Sequence, residues 1–229
     1  MKEEPWIRGA KALAAQEAAK LVKDGTIIGL GTGSTAFFFI EALGKRCKEG
    51  LQIKAVSTSI ASAARAQELG IPLIDIDEVV SIDLVVDGAD AIDPQKQMIK
   101  GKGGALLREK IVASMSREMI VVIDATKQVS TLIGLEIPVE IVPFGHRATL
   151  HKLQTWGALG ELRMTDAGQP YHTDNRNYIL DIRFPSSARQ PHEVDMMLRS
   201  LPGVVETGYF LALAGRVITG YEGGRIKIT

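Results

Sequence analysis

Short apolar runs alternate with stretches of helical periodicity through the first half of this chain, and the alternation leaves few folds open. Thr26–Leu30, Gln52–Val56, Ile82–Val86 and Met119–Ile123 read as buried strands. Thr35–Cys47, Ile60–Leu69 and Ala105–Met115 read as the helices between them, and Ala10–Val22, ended at Gly25, as a helix before the first strand. Strands without polar alternation, separated by helices, imply a parallel sheet covered on both faces by crossovers. After about Lys127 the pattern changes. Ile137–Val142, Leu159–Met164 and Tyr178–Ile182 read as strands, with helices at Arg147–Trp156 and His192–Ser200 and a turn-rich Thr165–Asn177. Val204–Thr207 and Leu211–Leu213 follow, and Arg216–Thr229 alternates as a hairpin around Gly223-Gly224. The expected fold is α/β: a parallel-sheet, Rossmann-like core over 1–128 plus 206–229, with a smaller α+β domain inserted at 129–205.

Composition narrows the partners. The 27 basic residues balance 27 acidic ones, and no stretch is rich enough in cations to follow a nucleic-acid backbone, so no nucleic-acid partner is expected. An anion, if bound, must be held by a few placed cations. Cys47 is the only cysteine, which rules out an intrachain disulfide and suggests a reducing compartment. Met1–Arg8 runs into Ala10–Lys23 without the apolar core of a signal peptide. Gly25–Ile40, the longest uncharged stretch, is too short and too polar at Gly31–Thr35 to span a bilayer. A soluble cytoplasmic protein with no membrane partner is the expectation.

In open α/β sheets, ligands collect outside the carboxyl ends of the strands. Four expected strands end in polar, acidic or glycine-rich turns: Gly29–Thr35, Ser57–Ser59, Asp87–Asp90 and Asp124–Lys127. In Gly29-Leu-Gly-Thr-Gly-Ser-Thr35, Gly31, Gly33, Thr32, Ser34 and Thr35 precede or open a helix, where N–H groups and hydroxyls suit a phosphate. The loop matches neither the dinucleotide fingerprint, whose sixth position here is Ser34, nor a Walker loop. A phosphate monoester fits better, with a plain tight turn as the alternative. Asp87-Gly88-Ala89-Asp90 places two carboxylates after a strand. They suit acid-base chemistry on a sugar hydroxyl, while Asx caps or metal ligands remain open.

Lys100-Gly101-Lys102-Gly103-Gly104 puts a cation before a flexible path into a helix carrying Glu109. The helical neighbours of Glu109 are Ala105, Leu106, Val112 and Ala113, none of them a cation, so an apolar surround that raises its pKa is expected. An exposed, unpaired glutamate is the alternative. A base, a lysine and a phosphate loop form a kit for moving a proton beside a carbonyl, as in aldose–ketose isomerisation. That reaction needs no cofactor. His146, His151, His172 and His192 lack the spacing of a metal site, so neither metal nor cofactor is signalled.

The chain resembles type A ribose-5-phosphate isomerases. The resemblance rests on Gly29–Thr35, Asp87–Asp90, Lys100–Leu106 with Arg108-Glu-Lys110, Pro138-Val-Glu140 and Pro202–Gly208, in that order from about Lys11 onward. It implies interconversion of ribose 5-phosphate and ribulose 5-phosphate through a 1,2-enediol(ate), in the non-oxidative pentose phosphate pathway. It also implies that Glu109 shuttles the proton between C2 and C1, that Asp87 assists ring opening, and that Asp90 and Lys100 belong to the site. Lys11, Thr32, Ser34 and Thr35 would surround the substrate, with Lys127 near its phosphate. Gly31, Gly33, Gly88, Ala89, Gly101, Lys102 and Gly103 complete the expected binding set. A homodimer or homotetramer and a ferredoxin-like second domain are further implications. Three residues depart from the family pattern: Lys102 and Arg176 stand where glycine is usual, and Ala91 where glutamate is frequent. A sugar-phosphate sensor would need a DNA-binding segment, for which residues 1–25 are too short, and a coenzyme A transferase-like enzyme would use Glu109 as nucleophile.

Overall fold

The computed structural model describes residues 4–185 and 189–229, so residues 1–3 of the amino-terminal segment discussed above lie outside the described part. In chain order, α1 (Pro5–Lys20) leads to β1 (Ile27–Leu30), α2 (Ser34–Lys48), β2 (Lys54–Ser57), α3 (Ile60–Glu68) and β3 (Leu84–Asp87). A short hairpin, β4 (Ala91–Ile92) and β5 (Met98–Ile99), precedes α4 (Leu106–Ser114) and β6 (Met119–Asp124). Next come β7 (Ile137–Ile141), α5 (His146–Thr155), β8 (Leu159–Leu162), β9 (Tyr178–Arg183), α6 (Pro191–Arg199) and β10 (Val204–Thr207). They are followed by β11 (Tyr209–Phe210), β12 (Val217–Gly220) and β13 (Ile226–Ile228).

Two units emerge: Met1–Ala89, Arg108–Gln128 and Ala212–Thr229 form the first, and Asp90–Leu107 with Val129–Leu211 the second. Residues 90–107 and 206–211, expected in the core, group with the second unit. The reason is that β4, β5 and β11 pair in a three-stranded sheet of their own. Leu211–Leu213, read from sequence as a strand, is irregular; the strand lies earlier, at Tyr209–Phe210, and Ala212 takes a positive φ of 57° just after it. Helix α1 begins five residues before the apolar pattern shows it, because Pro5 presets φ in the first turn, where no N–H donor is needed.

The first unit holds a six-stranded sheet in the order β13-β12-β6-β3-β1-β2, parallel except for β13. This matches the expected parallel core. Leu30, Val86, Ile120 and Val122 pack with Phe39, Ile40 and Leu43 of α2 and the alanine face of α1. Burying each large side chain contributes about 1.5–3 kcal/mol. Chain order reverses at β1, which has β2 on one side and β3 on the other, so the turns after β1 and β3 flank a switch point. Helix α1 lies against β12, where a Cβ on Gly220 would come within 2.2 Å of the Ala10 carbonyl oxygen. That close approach fixes the next residue, Lys11, beside the carboxyl ends of β12 and β6, since Gly220 is paired with Asp124.

The second unit carries an antiparallel four-stranded sheet, β10-β7-β9-β8, with α5 and α6 as its crossovers. This is the β-α-β-β-α-β order of a ferredoxin-like fold. Glu140 on β7 is fully buried, and its Oε1 accepts from Thr173 Oγ1 (3.0 Å), Asn175 Nδ2 (3.1 Å) and Asn177 Nδ2 (2.9 Å). These bonds close the 173–177 turn, in which Arg176 has a φ of 62°. The turn keeps a glycine-like backbone although its residue is arginine. Ala91 is buried in the core of this unit, an apolar position that suits alanine.

Candidate active site

After β1 the chain must turn sharply beside β3. Gly31 N–H donates to the Val86 carbonyl at 3.0 Å, and Thr32 N–H to Asp87 Oδ1 at 3.1 Å. The Gly88 N–H reaches the same oxygen at 2.7 Å. Asp87 is 1% exposed, and a Cβ on Gly31 would lie 2.2 Å from its Oδ1, so only glycine fits there. The carboxylate that ends β3 therefore sets the path of the loop that ends β1.

The hydroxyls of that loop divide by role. Thr32 Oγ1 donates inward to Ser59 Oγ at 2.8 Å; Ser59 Oγ donates to Ser62 Oγ at 2.9 Å, and Ser62 Oγ to the Gly31 carbonyl at 2.6 Å. Thr58 Oγ1 lies 2.7 Å from Thr32 Oγ1 and 2.9 Å from the Leu30 carbonyl. Thr32, read from sequence as a phosphate hydroxyl, thus spends its side chain and its N–H on shaping the loop. Ser34 is exposed, and its Oγ accepts from the buried Lys11 Nζ at 3.1 Å. Gly33, with φ of 96°, precedes α2 and offers no side-chain cap to the first amides of that helix. At the same sheet edge, Asp124 caps the 3-10 turn Ala125–Lys127 by accepting from Thr126 N–H at 3.0 Å, which places Lys127 just past β6.

Glu109 sits in the first turn of α4 and is 4% exposed. Its helical neighbours Ala105, Leu106, Val112 and Ala113 are all buried, which rules out the exposed alternative. Helix α4 crosses β1 at Gly29, where a Cβ would lie 2.7 Å from Val112 Cγ1. A crossover helix runs opposite to the strand it feeds, so the amino-terminal turn with Glu109 lies toward the carboxyl edge of the sheet.

The remaining candidates belong to the second unit. Lys100 is 3% exposed; its N–H donates to the Gly208 carbonyl at 2.9 Å, and its Nζ lies 5.3 Å from the centre of the Phe210 ring. Lys102 N–H donates to Asp90 Oδ2 at 2.9 Å. The positive φ angles in this loop fall on Gly101 (109°) and Gly104 (78°) and not on Lys102, so the loop accepts a side chain at 102. Among the described residues, no group of three His, Cys, Asp or Glu side chains is placed to hold a metal ion, and no helix is long and apolar enough to cross a membrane.

Sequence reasoning marked Ser57–Ser59 as an edge loop but missed Ser62 and the inward relay; the Ser59 cap on Ser62 N–H was the readable signal. Arg163 and Asp181, which brace the 100–104 loop, had none, because their partners are distant in the chain.

Comparison with known proteins bears on the family and the fold. The model of ribose 5-phosphate isomerase A (phosphoriboisomerase A) matches residues 54–224. The ribose-5-phosphate isomerase A of Protochlamydia amoebophila is 52% identical over 99% of this chain and 97% of its own. That of Bacillus mycoides is 45% identical over 93% and 96%. Among solved structures, a ribose 5-phosphate isomerase from Plasmodium falciparum superposes with a TM-score of 0.92 at 32% identity, covering 97% of this chain and 98% of that one. A D-ribose-5-phosphate isomerase in complex with phospho-erythronic acid gives 0.91 at 39% identity, with coverage of 97% and 98%. By family match, near-complete coverage and fold, this chain belongs to the ribose 5-phosphate isomerase A family.

Proposed function

We propose that the protein interconverts ribose 5-phosphate and ribulose 5-phosphate in the non-oxidative pentose phosphate pathway, with Glu109 as the base and without a metal or organic cofactor. The observation that carries this reading is a buried carboxylate on α4, whose helix is seated on β1 through Val112 and Gly29. The β1–α2 loop and Lys11 stand at the edge toward which that helix's first turn points.

The chemistry follows from the parts. The phosphate binds at the first amides of α2 with Lys11 and Lys127, and Asp87 assists opening of the sugar ring. Glu109 removes the C2 proton of the open aldose, and the electron pair passes through C1=C2 to O1. Lys100 stabilises the charge on the enediolate oxygen. The hydroxyl proton moves from O2 to O1 as C2=O forms, and Glu109 returns its proton to C1. Phosphate binding fixes the reacting carbons against the base, so remote binding energy lowers the barrier. By the family resemblance, Gly31, Gly33, Ser34, Thr35, Gly88, Ala89, Asp90, Gly101, Lys102 and Gly103 would complete the substrate-binding set. A sugar-acid phosphate such as phospho-erythronic acid joins a phosphate to a planar anion resembling an enediolate, which supports the same chemistry.

Residues 129–205 are proposed to act as an oligomerisation domain in a homodimer or homotetramer, and the protein to work in the cytoplasm on a small sugar phosphate alone. The test is incubation with ribose 5-phosphate in deuterated water, followed by NMR. Ketose carrying deuterium at C1 is expected; no ketose and no C–H exchange would overturn the reading.

A further inference from the structure

Arg163 follows β8, and its guanidinium faces the backbone of the loop that carries Lys100. Asp181 on β9 holds it by two bonds, from Nε to Oδ2 at 2.7 Å and from Nη2 to Oδ1 at 2.5 Å. Its remaining arm, Nη1, donates to the carbonyls of Gly101 (3.0 Å) and Lys102 (3.2 Å). The pair is largely removed from solvent, at 14% and 22% side-chain exposure. Tyr171 packs beside the guanidinium at 5.8 Å, and its hydroxyl fills the space next to Gly104, where a Cβ would lie 2.2 Å away.

We propose that Arg163 is a positioning residue: by gripping two successive carbonyls, it fixes the Gly101–Lys102 and Lys102–Gly103 peptides, and with them the Gly103 N–H, in the orientation that receives the substrate. This rests on the isomerase reading above. A trans peptide is planar, with C=O and N–H pointing in opposite directions. Turning the Gly101 carbonyl to Arg163 therefore turns the Lys102 N–H away, to where Asp90 Oδ2 accepts it at 2.9 Å. Fixing the Lys102 carbonyl likewise turns the Gly103 N–H away from the guanidinium.

Glycines on both sides would otherwise let these peptides flip, and a flipped peptide presents a carbonyl where an anion needs an N–H. Arginine suits the task because its planar fork can bind a carboxylate with two arms and keep a donor for the loop, which lysine cannot do. The loop's start is tied to the same sheet: Lys100 N–H donates to the Gly208 carbonyl, and Gly208 N–H to Pro138 on β7, at 2.9 and 2.7 Å.

The test compares wild type with Arg163→Ala, Arg163→Lys and Asp181→Asn in steady-state isomerisation and in amide hydrogen exchange over 100–104. Arg163→Ala is expected to raise the KM for ribose 5-phosphate about tenfold or more with kcat within about threefold, the mark of lost binding shared by ground and transition states. Arg163→Lys and Asp181→Asn should show smaller rises in the same direction, and they carry the test if the alanine variant fails to fold. A purely structural role would lower the active fraction and leave KM unchanged. Loop exchange should quicken about tenfold in Arg163→Ala, or less strongly in Arg163→Lys, whether or not the protein turns over. Unchanged KM or unchanged exchange overturns the proposal. A wild type that does not isomerise sinks the catalytic reading instead, and the exchange result then still decides whether Arg163 orders the loop.

Discussion

Gly31→Ala should be among the most damaging single-methyl additions in this protein. The new Cβ would lie 2.2 Å from Asp87 Oδ1 and 2.3 Å from its Cγ, against 3.4 Å or more for an ordinary contact. Over 1 Å of relief is needed, and the carboxylate is pinned by the N–H groups of Thr32 at 3.1 Å and Gly88 at 2.7 Å. Moving it by that distance breaks both bonds. At about 1.5–3 kcal/mol for each hydrogen bond to a charged group, the loss is at least about 3 kcal/mol before packing strain. For a chain of this length that lowers Tm by about 6–12 °C. Displacing Asp87 by 1 Å should also reduce kcat/KM by about 10²-fold at a temperature where the variant is folded. Gly88→Ala is the control: its nearest neighbours would be 3.7 Å away, so it should cost under about 1 kcal/mol. Thermal unfolding by circular dichroism measures both. A Gly31→Ala protein as stable as Gly88→Ala would refute the steric reasoning.

Other perturbations give distinct outcomes. Arg176→Gly should stabilise the protein by up to about 1 kcal/mol, because a positive φ costs a non-glycine residue about 1–2 kcal/mol and glycine's extra unfolded-state freedom takes part of that back; a loss of stability in urea titration would contradict it. The Arg216 guanidinium, bonded to Glu118 at 2.5 and 2.8 Å, holds that carboxyl below its ordinary value although burial opposes the shift. A depressed folded pKa stabilises above the unfolded value and is lost as pH falls through the folded one. Glu118→Gln should therefore lower stability by under about 1 kcal/mol at neutral pH, since the pair is partly exposed, and the gap should close as pH falls through the lowered folded value. A gap that widens in acid would rule this out. Exhaustive chelation should leave turnover unchanged; loss restored by a divalent ion would make Asp87 and Asp90 metal ligands.

The parallel core was readable because its strands are buried on both faces and carry uninterrupted apolar runs, as at Met119–Asp124. The edge on which the turns after Leu30, Ser57, Asp87 and Asp124 gather followed from that parallel order alone. By contrast, β4, β5 and β11 are two residues long, too short for any period to show, and so the extent of the second unit was misjudged. Side-chain burial was legible where local spacing determines it, as for Glu109 among the buried residues of its own helix. Side-chain roles were hidden where partners come from distant strands. Thr32 looked like a ligand hydroxyl until Ser59 and Ser62 drew it inward, and nothing near Arg163 in sequence announces the Gly101 and Lys102 carbonyls. The Lys102 departure is absorbed because the positive φ angles fall on the neighbouring glycines.

The most direct test of proton transfer by Glu109 is Glu109→Gln, assayed for ribose 5-phosphate binding by calorimetry and for turnover by NMR. The variant keeps the size of the side chain and removes the base. Binding within about threefold of wild type is expected, with turnover reduced by about 10²–10⁴-fold or more, because one residue serves both transfers. Near-normal turnover in the folded variant would contradict the assignment.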